Sequence, residues 1–368
     1  MTEALQRQKF LLHVFPSFAT GGAQMRLVAL ANHFGSAFRH AVIALDGDLA
    51  CRSRLAPELS VSFPALPRNS AGLSARLRHA RTLLSQLRPD VLITSNWGAI
   101  EWGAANLFPL ARHIHTEDGF GVEEHGRQLT RRVLARRLVL RRSAVVLPSR
   151  TLFGIAREVW RLPAAKLHYI PNGIDLRRFV PDTERTGAAP IVIGCVAALR
   201  SEKNLARLLR ATHRIAGRWP LRLVIVGDGP ERPAIQSLAA ELSLNVDFVG
   251  EVGDTAPFYR RFDLFALSSD TEQMPLSVLE AMASGLAVVA TDVGDIASMV
   301  AAENRPFISG RDDAALAESL RALIDVPQLR LAIGAANRQR AESDFDQMLM
   351  FRRYRALFDR IDGEMAAA

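Results

Sequence analysis

Residues 271–294 constrain the fold more than any other stretch of this chain, because they and the strand before them form a strand–loop–helix–strand unit. The apolar run at 263–267 predicts a buried parallel strand, which a short polar loop follows. A helix is expected from about Leu276 to a glycine stop at Gly285, and a second buried strand over 286–290. Such units build open α/β sheets, which bind ligands at the carboxyl ends of their strands.

Two acids of this unit stand eight positions apart, Glu272 in the loop and Glu280 inside the helix. The free amides and the dipole at a helix start attract anions. A carboxylate beside them would instead accept hydrogen bonds from hydroxyl groups. A nucleotide-sugar has both phosphate and hydroxyls and would satisfy both features. The alternative is a pair of solvated glutamates on an ordinary βα unit.

The E-x7-E spacing within PLSVLEAMASGLAVVATDVG resembles the signature of retaining glycosyltransferases of family 4, which have the GT-B fold. The resemblance covers most of the chain, since GGAQ (21–24), PNGID (171–175), AALRSEKN (197–204) and VGDGP (226–230) are similar to motifs of that family. It implies an α/β architecture of two Rossmann-like parallel-sheet domains that face each other across an interdomain cleft.

A length of 368 residues is that of about two ordinary domains. The stretch 182–190, with Thr, Gly, Ala and Pro, predicts the linker between them. The resemblance then implies an N-terminal acceptor-binding domain over 1–183 and a C-terminal donor-binding domain over 190–344. It also implies that a final amphipathic helix over 345–361 crosses back onto the first domain.

The resemblance assigns roles to residues of the second domain. Glu280 would hold the nucleotide ribose, and Glu272 the hydroxyls of the donor sugar. Arg200 and Lys203 would bind the diphosphate, because two cations at the carboxyl end of a strand neutralise it and stabilise it as it leaves. An ordinary surface pair of cations is the alternative. The remaining donor-binding residues expected are Gly22, Gly227, Met274, Pro275 and Leu276.

Gly21 and Gly22 lie in the first strand-to-helix loop, where positive φ and a close backbone approach to a diphosphate are available. The sequence GGAQ is not the GxGxxG fingerprint, so nicotinamide or flavin binding is weakly supported. The resembling family has a GGAE-like turn facing the donor diphosphate, and Gln24 replaces its acid. A plain tight turn is the alternative.

The stretch ARHIHTEDGFG, residues 111–121, ends a short predicted strand with several polar side chains. The resembling family often has T-x-H here, with the histidine near the donor sugar. In this chain Asp118 occupies that position and His115 lies three residues earlier. Either His115 or Asp118 is expected to contact the sugar or the acceptor hydroxyl. For each, the alternative is a polar residue that only stabilises the loop.

No metal and no cofactor is expected besides the nucleotide-sugar co-substrate. His113 and His115 have no third ligand at a helpful spacing. The string Asp46-Gly-Asp48 predicts a turn rather than a metal–diphosphate site. Cys51 and Cys195 match no metal or redox spacing and fit small core residues in a reducing cytoplasm.

The basic excess lies in the N-terminal half, since residues 1–183 hold 25 Lys+Arg against 13 Asp+Glu. Within it, residues 127–143 alternate arginine pairs with apolar residues at helical spacing, with Val133, Leu134, Leu138 and Val139 able to face a core. The arginine band is either a solvated face or a contact with anionic lipid headgroups. Nucleic acid is the weaker alternative. We expect a cytoplasmic protein, with peripheral contact to the inner membrane face as a further option.

The resemblance therefore implies a metal-independent hexosyltransferase that moves a sugar from a nucleotide-diphosphate-sugar to an acceptor hydroxyl with retention of configuration, as in that family. The expected acceptor is a glycan or a lipid-linked glycan of cell-surface polysaccharide assembly. A nucleotide-sugar 2-epimerase on the same fold is one alternative. A non-catalytic scaffold that binds the nucleotide-sugar is the other.

Overall fold

The computed structural model describes residues 8–66, 72–120, 122–124, 128–182 and 190–360. The chain divides into two units, Met1–Pro171 with Phe351–Ala368 and Asn172–Met350. The division falls after Pro171 because Ile174 and Phe179 are buried in the core of the second unit. Most of the predicted linker at 182–190 lies outside the described residues, as does the last residue of the predicted 345–361 helix.

The first unit contains a seven-stranded parallel sheet. Its strands are β1 (Lys9–Phe15), β2 (Phe38–Ala44), β3 (Val61–Ser62), β4 (Val91–Ser95), β5 (Arg112–Thr116), β6 (Ala144–Leu147) and β7 (Leu167–Tyr169). Their order in the sheet is β3-β2-β1-β4-β5-β6-β7, so the chain reverses its direction of winding between β1 and β4. That reversal is the topological switch point at which open α/β sheets form their ligand crevice.

In the described part of the first unit, five α-helices follow strands of this sheet. They are α1 (Gly22–Phe34), α2 (Leu73–Leu87), α3 (Ile100–Ala105), α4 (Thr130–Val139) and α5 (Arg150–Glu158). Ile43 of β2 packs in one apolar cluster with Leu84 of α2. Its neighbour Val42 packs in another cluster with Leu27 of α1. Since neighbouring side chains of a strand point to opposite faces, helices cover both faces of the sheet.

The second unit contains a six-stranded parallel sheet. Its strands are β8 (Ile191–Val196), β9 (Leu221–Val226), β10 (Val246–Gly250), β11 (Leu264–Leu267), β12 (Val288–Thr291) and β13 (Ile308–Ser309). The order is β10-β9-β8-β11-β12-β13, which places the switch point between β8 and β11. The helices are α6 (Leu205–His213), α7 (Arg232–Glu241), α8 (Ala256–Tyr259), α9 (Leu276–Ala283), α10 (Ile296–Met299), α11 (Asp313–Asp325) and α12 (Pro327–Asp344). The α/β prediction of two Rossmann-like parallel-sheet units is confirmed.

The strand–loop–helix–strand unit predicted from residues 271–294 forms between β11 and β12. Helix α9 begins at Leu276, as predicted, and its Val278, Leu279 and Met282 are fully buried. Gly285 has φ +69°, and the amide of Leu286 donates to the carbonyl of Ala281, which ends the helix in a left-handed turn. Strand β12 starts at Val288, two residues later than predicted.

A last helix, α13 (Gln347–Asp359), enters the first unit from Phe351 onward. The ring of Phe351 stacks on His33 of α1, with centroids 4.2 Å apart. Lys9 Nζ donates to the carbonyls of Phe358 and Asp359 at 3.2 and 2.7 Å. A cation is favourable at this helix end because it meets unpaired carbonyls and the negative end of the helix dipole.

Candidate functional site

Two loops meet at the switch point of the second unit, one following β8 and the other following β11. Ser268 Oγ donates to the carbonyls of Lys203 and Asn204 at 3.2 and 2.9 Å. The amide of Asp270 donates to the carbonyl of Glu202 at 2.8 Å. Because β8 and β11 are adjacent, their loops are held side by side at the carboxyl edge of the sheet.

Lys203 and Glu272, each predicted as a ligand-binding residue, form an ion pair across these two loops. Lys203 Nζ lies 2.5 Å from Glu272 Oε1, and Ser269 Oγ donates to the same oxygen at 2.8 Å. The side chains keep 22% and 10% of their surface exposed. A cation and a carboxylate, both reachable from solvent, therefore lie side by side. A sugar-phosphate could use both, because its phosphate would bind the cation and its hydroxyls would donate to the carboxylate.

Arg207 supports this pair and was missed in the sequence. Its buried Nη1 donates to the carbonyl of Ser268 and pairs with Asp270 Oδ1, both at 2.8 Å. Asn204 Nδ2 donates to Asp270 Oδ2 at 3.0 Å, and Asn204 Oδ1 accepts from the amide of Arg207 at the start of α6. These contacts fix the loop that carries Lys203. An arginine two residues inside an amphipathic helix gives no sequence signal of such a role.

Glu280 of α9 is partly buried beside the loop that follows β10. Its Oε2 accepts from Thr255 Oγ1 at 3.3 Å. Burial raises the pKa of Glu280 to about 7, although hydrogen bonding to Tyr259 and the charge of Arg178 act in the opposite direction. Removing a carboxylate from water disfavours its charged form. Glu280 can therefore change charge near neutral pH.

The other predicted residues of the second unit take different places. Met274 is buried, and its carbonyl accepts from Asn172 Nδ2 at 3.1 Å. Pro275 is the N-cap of α9 and Leu276 its first residue, so the free amides of the helix begin there. Arg200 is exposed, and among the described residues its side chain has no ion-pair or hydrogen-bond partner.

Gly227 is required by packing at the end of β9. It has φ +134°, and a Cβ added there would lie 2.0 Å from the carbonyl oxygen of Ala197. Gly294 has a comparable place after β12, where a Cβ would lie 2.3 Å from the carbonyl oxygen of Glu272. The second contact explains the glycine of the TDVG motif, because only a residue without a side chain lets the backbone pass this close to the Glu272 loop.

In the first unit, the Gly21-Gly22 turn forms the start of α1. The sequence suggested that these glycines could adopt a positive φ, but neither does. Gly21 is extended, with φ −169°. Gly22 is the first residue of the helix, so the turn does place backbone amides at the carboxyl edge of the sheet. Gln24 folds back, and its Nε2 donates to the carbonyl of Ser17 at 2.8 Å.

His115 has no exposed surface and lies inside a chain of hydrogen bonds. Its Nδ1 is 2.8 Å from Thr94 Oγ1, which is also 2.8 Å from His113 Nε2. Its Nε2 lies 3.3 Å from Glu117 Oε2. Burial, followed by the proximity of His115, lowers the pKa of His113 to about 3, so His113 is neutral. A ligand could contact His115 only if these hydrogen bonds were broken.

Asp118 instead pairs with Arg26 of α1. The carboxylate lies 2.5 and 2.8 Å from the two terminal guanidinium nitrogens of Arg26, a bidentate geometry. The amide of Asp118 donates to Asn96 Oδ1 at 2.7 Å. Burial acts to lower the pKa of Arg26, but the opposing effects, led by the negative charge of Asp118, are together larger, and the pKa of Arg26 is raised. Helix α1 and the loops that follow β4 and β5 therefore converge on Asp118, which stays 16% exposed.

The side of α4 that is buried agrees only in part with the predicted one. Leu134 and Leu138, expected to face a core, are 56% and 63% exposed, whereas Arg136 is fully buried. Arg136 donates to Glu117 Oε2 at 3.2 Å and to both oxygens of Glu124 at 3.1 and 3.0 Å. For Leu134 and Leu138 the prediction was wrong, because helical spacing cannot reveal two carboxylates that neutralise a buried arginine from another segment. Val133 and Val139 pack against an apolar core cluster, as predicted.

The remaining sequence predictions concern metals and membranes. Asp46 and Asp48 form the predicted turn, because the side chain of each accepts from the amide two residues on. Among the described residues, no group of three or more His, Cys, Asp or Glu side chains is arranged to hold a metal ion. Of the helices in the described ranges, none combines the length and the apolar character needed to cross a bilayer.

Two family models match the chain, one in each half. The model described as Glycosyltransferase Family 4 matches residues 20–178. The model described as Glycosyl transferases group 1 matches residues 190–325. Together they span most of the chain and contain the loops that carry Asp118, Lys203 and Glu272.

Curated relatives carry glycosyltransferase names. A GDP-mannose-dependent monoacylated alpha-(1-6)-phosphatidylinositol monomannoside mannosyltransferase of Corynebacterium glutamicum is 31% identical over 203 residues, or 50% of this chain and 53% of that protein. A D-inositol 3-phosphate glycosyltransferase of Corynebacterium urealyticum is 26% identical over 321 residues, 78% of this chain and 75% of that protein. The chain thus spans about half the length of the first of these relatives and three quarters of the second.

A similar fold is found in a crystal structure of Anabaena HepE in complex with UDP-glucose. The two chains superpose with a TM-score of 0.82 at 18% sequence identity, over 96% of this chain and 100% of that one. At this identity the likeness shows the fold alone, which is GT-B. With both halves matched by family models and the fold shared, the chain belongs to the family 4 glycosyltransferases of the GT-B fold.

Proposed function

We propose that this protein transfers a sugar from a nucleotide-diphosphate-sugar to an acceptor hydroxyl, with retention of anomeric configuration. The observation that carries the proposal is the Lys203–Glu272 ion pair at the switch point of the second sheet. A GDP-mannose-dependent relative and the UDP-glucose complex of a structural neighbour support this class of donor. The sugar and the base of the donor are the first things to determine.

The ion pair implies an exchange of partners when donor binds. The diphosphate would take Lys203 from Glu272, since a phosphate oxygen offers the lysine a charge-assisted hydrogen bond of similar strength. Glu272 would then accept from hydroxyls of the donor sugar, and exposed Arg200 would add a second cation to the diphosphate. Glu280 would accept from the ribose hydroxyls. The amides at the start of α9 would lie beside the sugar and phosphate.

These two cations would stabilise the leaving nucleoside diphosphate without a metal. Charge that develops on the leaving oxygens would meet Lys203 and Arg200, which are already in place before the reaction. We therefore expect turnover to persist in EDTA.

On the acceptor side we assign the polar contact to Asp118 rather than His115. Asp118 retains exposed surface, and Arg26 holds its carboxylate in one orientation. His115 is enclosed and would act as a positioning residue through Glu117, which immediately precedes Asp118. A lipid-linked glycan acceptor, as in cell-surface polysaccharide assembly, fits the name of the Corynebacterium glutamicum relative. The buried free thiols of Cys51 and Cys195 fit the expected cytoplasmic location.

The test begins with a donor screen that includes UDP-glucose and GDP-mannose, followed by measurement of nucleotide release with an acceptor panel. Lys203→Ala should lower turnover about 100-fold or more, the usual effect of removing one group that stabilises developing charge. Glu272→Ala should also lower turnover, because the donor sugar loses the carboxylate that accepts from its hydroxyls. Arg321→Ala and Glu318→Ala remove an exposed pair of the same unit and serve as matched controls. The anomeric configuration of the first product, read by NMR, tests retention.

Three outcomes would contradict the proposal in different ways. Unchanged turnover in both Lys203→Ala and Glu272→Ala would refute the site. A sugar epimerised with no acceptor present would indicate a 2-epimerase. Nucleotide binding with no turnover across the panel would indicate a scaffold.

A further inference from the structure

Two neighbouring segments of the first unit expose large apolar side chains. Leu107, Phe108 and Leu110 follow α3, and Leu134 and Leu138 lie on α4, which packs against α3. Phe108 is 80% exposed. We call these five residues the apolar patch. Single exposed leucines are common on soluble proteins, but five together mark a contact surface.

A cavity of about 500 Å³ opens beside the apolar patch and is lined by Leu107 and Leu138. Its lining contains five cations and, among the described residues, no acid. The cations are Arg112, Arg141, Arg142, Lys166 and Arg360. We call these five residues the basic pocket. An apolar rim around a group of cations is complementary to a molecule that has an anionic head and an apolar body.

Three cations of the basic pocket are available to a ligand. Arg141, Arg142 and Arg360 are exposed, and within the described residues none of them forms an ion pair. Many other arginines of the chain are paired, as Arg76 is with Glu101 and Arg132 with Glu124. After burial, the charges of Arg360 and Lys166 also lower the pKa of His168, which is consistent with a positive potential on this side.

We propose that the apolar patch and the basic pocket dock this protein on a bilayer that contains anionic phospholipids. The patch enters the boundary between headgroups and acyl chains, and the pocket binds a lipid phosphate. Arg141 and Arg142 belong to the arginine band expected from the sequence. The surface differs from that expectation in its other members, because Arg136 is buried while Leu134 and Leu138 point outward. The inference goes beyond the proposed function, because docking needs neither donor nor turnover.

The test is flotation of the full chain, without donor, on vesicles of phosphatidylcholine alone or mixed with phosphatidylglycerol. We expect binding only to the mixed vesicles, weakening as salt is raised. Arg141→Ala with Arg142→Ala should lower vesicle affinity about 25-fold, at about fivefold for each cation lost from an anionic surface. Phe108→Asp and Leu138→Asp should each abolish detectable binding.

Matched controls separate docking from general charge and from folding. Arg177→Ala with Arg214→Ala removes two exposed arginines of the second unit and should leave vesicle binding unchanged. Unaltered thermal unfolding and donor binding would show that Phe108→Asp and Leu138→Asp are folded. The proposal is overturned if the wild type does not float with mixed vesicles, or if the Asp variants float normally. It is also overturned if the patch instead mediates self-association, seen by light scattering as a dimer that Phe108→Asp dissociates.

Discussion

Glu280 gives the sharpest quantitative test of the donor site. Its pKa is raised to about 7 by burial, and in the proposed complex its carboxylate accepts from ribose hydroxyls. Only the charged form can accept with both oxygens, so donor binding and proton binding compete. If the protonated form does not bind, the competent fraction rises from about one tenth at pH 6 to about nine tenths at pH 8. Donor affinity should therefore rise about tenfold over this interval, equivalent to about 1.4 kcal/mol.

Isothermal titration calorimetry with the donor identified by the screen would measure this dependence. A nucleotide-sugar is the better ligand than a free nucleoside diphosphate, because its diphosphate has no group that titrates in the interval. Glu280→Gln keeps the shape of the side chain but cannot titrate. It should bind more weakly at pH 8, by about 10-fold to 100-fold for the loss of charged hydrogen bonds, and its affinity should not change with pH.

In the ligand-free protein, the contribution of Glu280 to the free energy of unfolding should change with pH in the opposite direction to donor affinity. The folded state keeps the proton of Glu280 to a pKa of about 7, whereas the unfolded chain releases it near the ordinary glutamate pKa of 4.5. Because the unfolded state then binds fewer protons, the contribution of Glu280 to stability falls as pH rises from about 4.5 to about 7. Glu280→Gln should remove this part of the pH dependence of stability, and Glu318→Gln, which alters an exposed carboxylate, should not.

Two calorimetric results would refute the reasoning on donor binding. One is a wild-type donor affinity that does not change from pH 6 to pH 8, and the other is an equal change of donor affinity with pH in Glu280→Gln.

Two further predictions concern stability and can be checked by urea denaturation. Arg136→Met should lower the free energy of unfolding by about 3–5 kcal/mol, because it leaves the buried carboxylate of Glu117 without its guanidinium partner and Glu124 with Arg132 alone; an unchanged free energy of unfolding would contradict this. Gly227→Ala should cost more than about 2 kcal/mol, since it combines φ +134° with a Cβ 2.0 Å from a carbonyl oxygen. Gly217→Ala, where a Cβ meets nothing within 4 Å, is the matched control, and equal effects at both glycines would refute the packing argument.

The order of strands and helices could be predicted largely from the sequence. Runs such as 264–267 and 286–290 are apolar on both faces, as strands in the middle of a parallel sheet must be. Glycine marked the end of α9 because only a left-handed residue ends the helix there without strain. Glu272 and Glu280 could also be predicted from the sequence, because both lie within one local strand–loop–helix–strand unit.

The partners of these side chains could not be predicted, because they come from distant parts of the chain. Lys203 meets Glu272 across 69 positions, and Arg26 meets Asp118 across 92. The first meeting depends on β8 and β11 being adjacent in their sheet, and the second on β1 and β5 lying on either side of β4. Strand order in a sheet is a property of the whole topology and leaves no mark in the residues themselves.

Helix α4 marks the boundary between these two kinds of information. Its sequence determined that an amphipathic helix would form, because helical spacing of apolar and basic residues is local. Only the tertiary structure decided which side is buried, since Glu117 and Glu124 make burial of Arg136 possible and leave Leu134 and Leu138 in solvent. A buried charge is stable only with its counter-charges in place, and those are assembled by the fold.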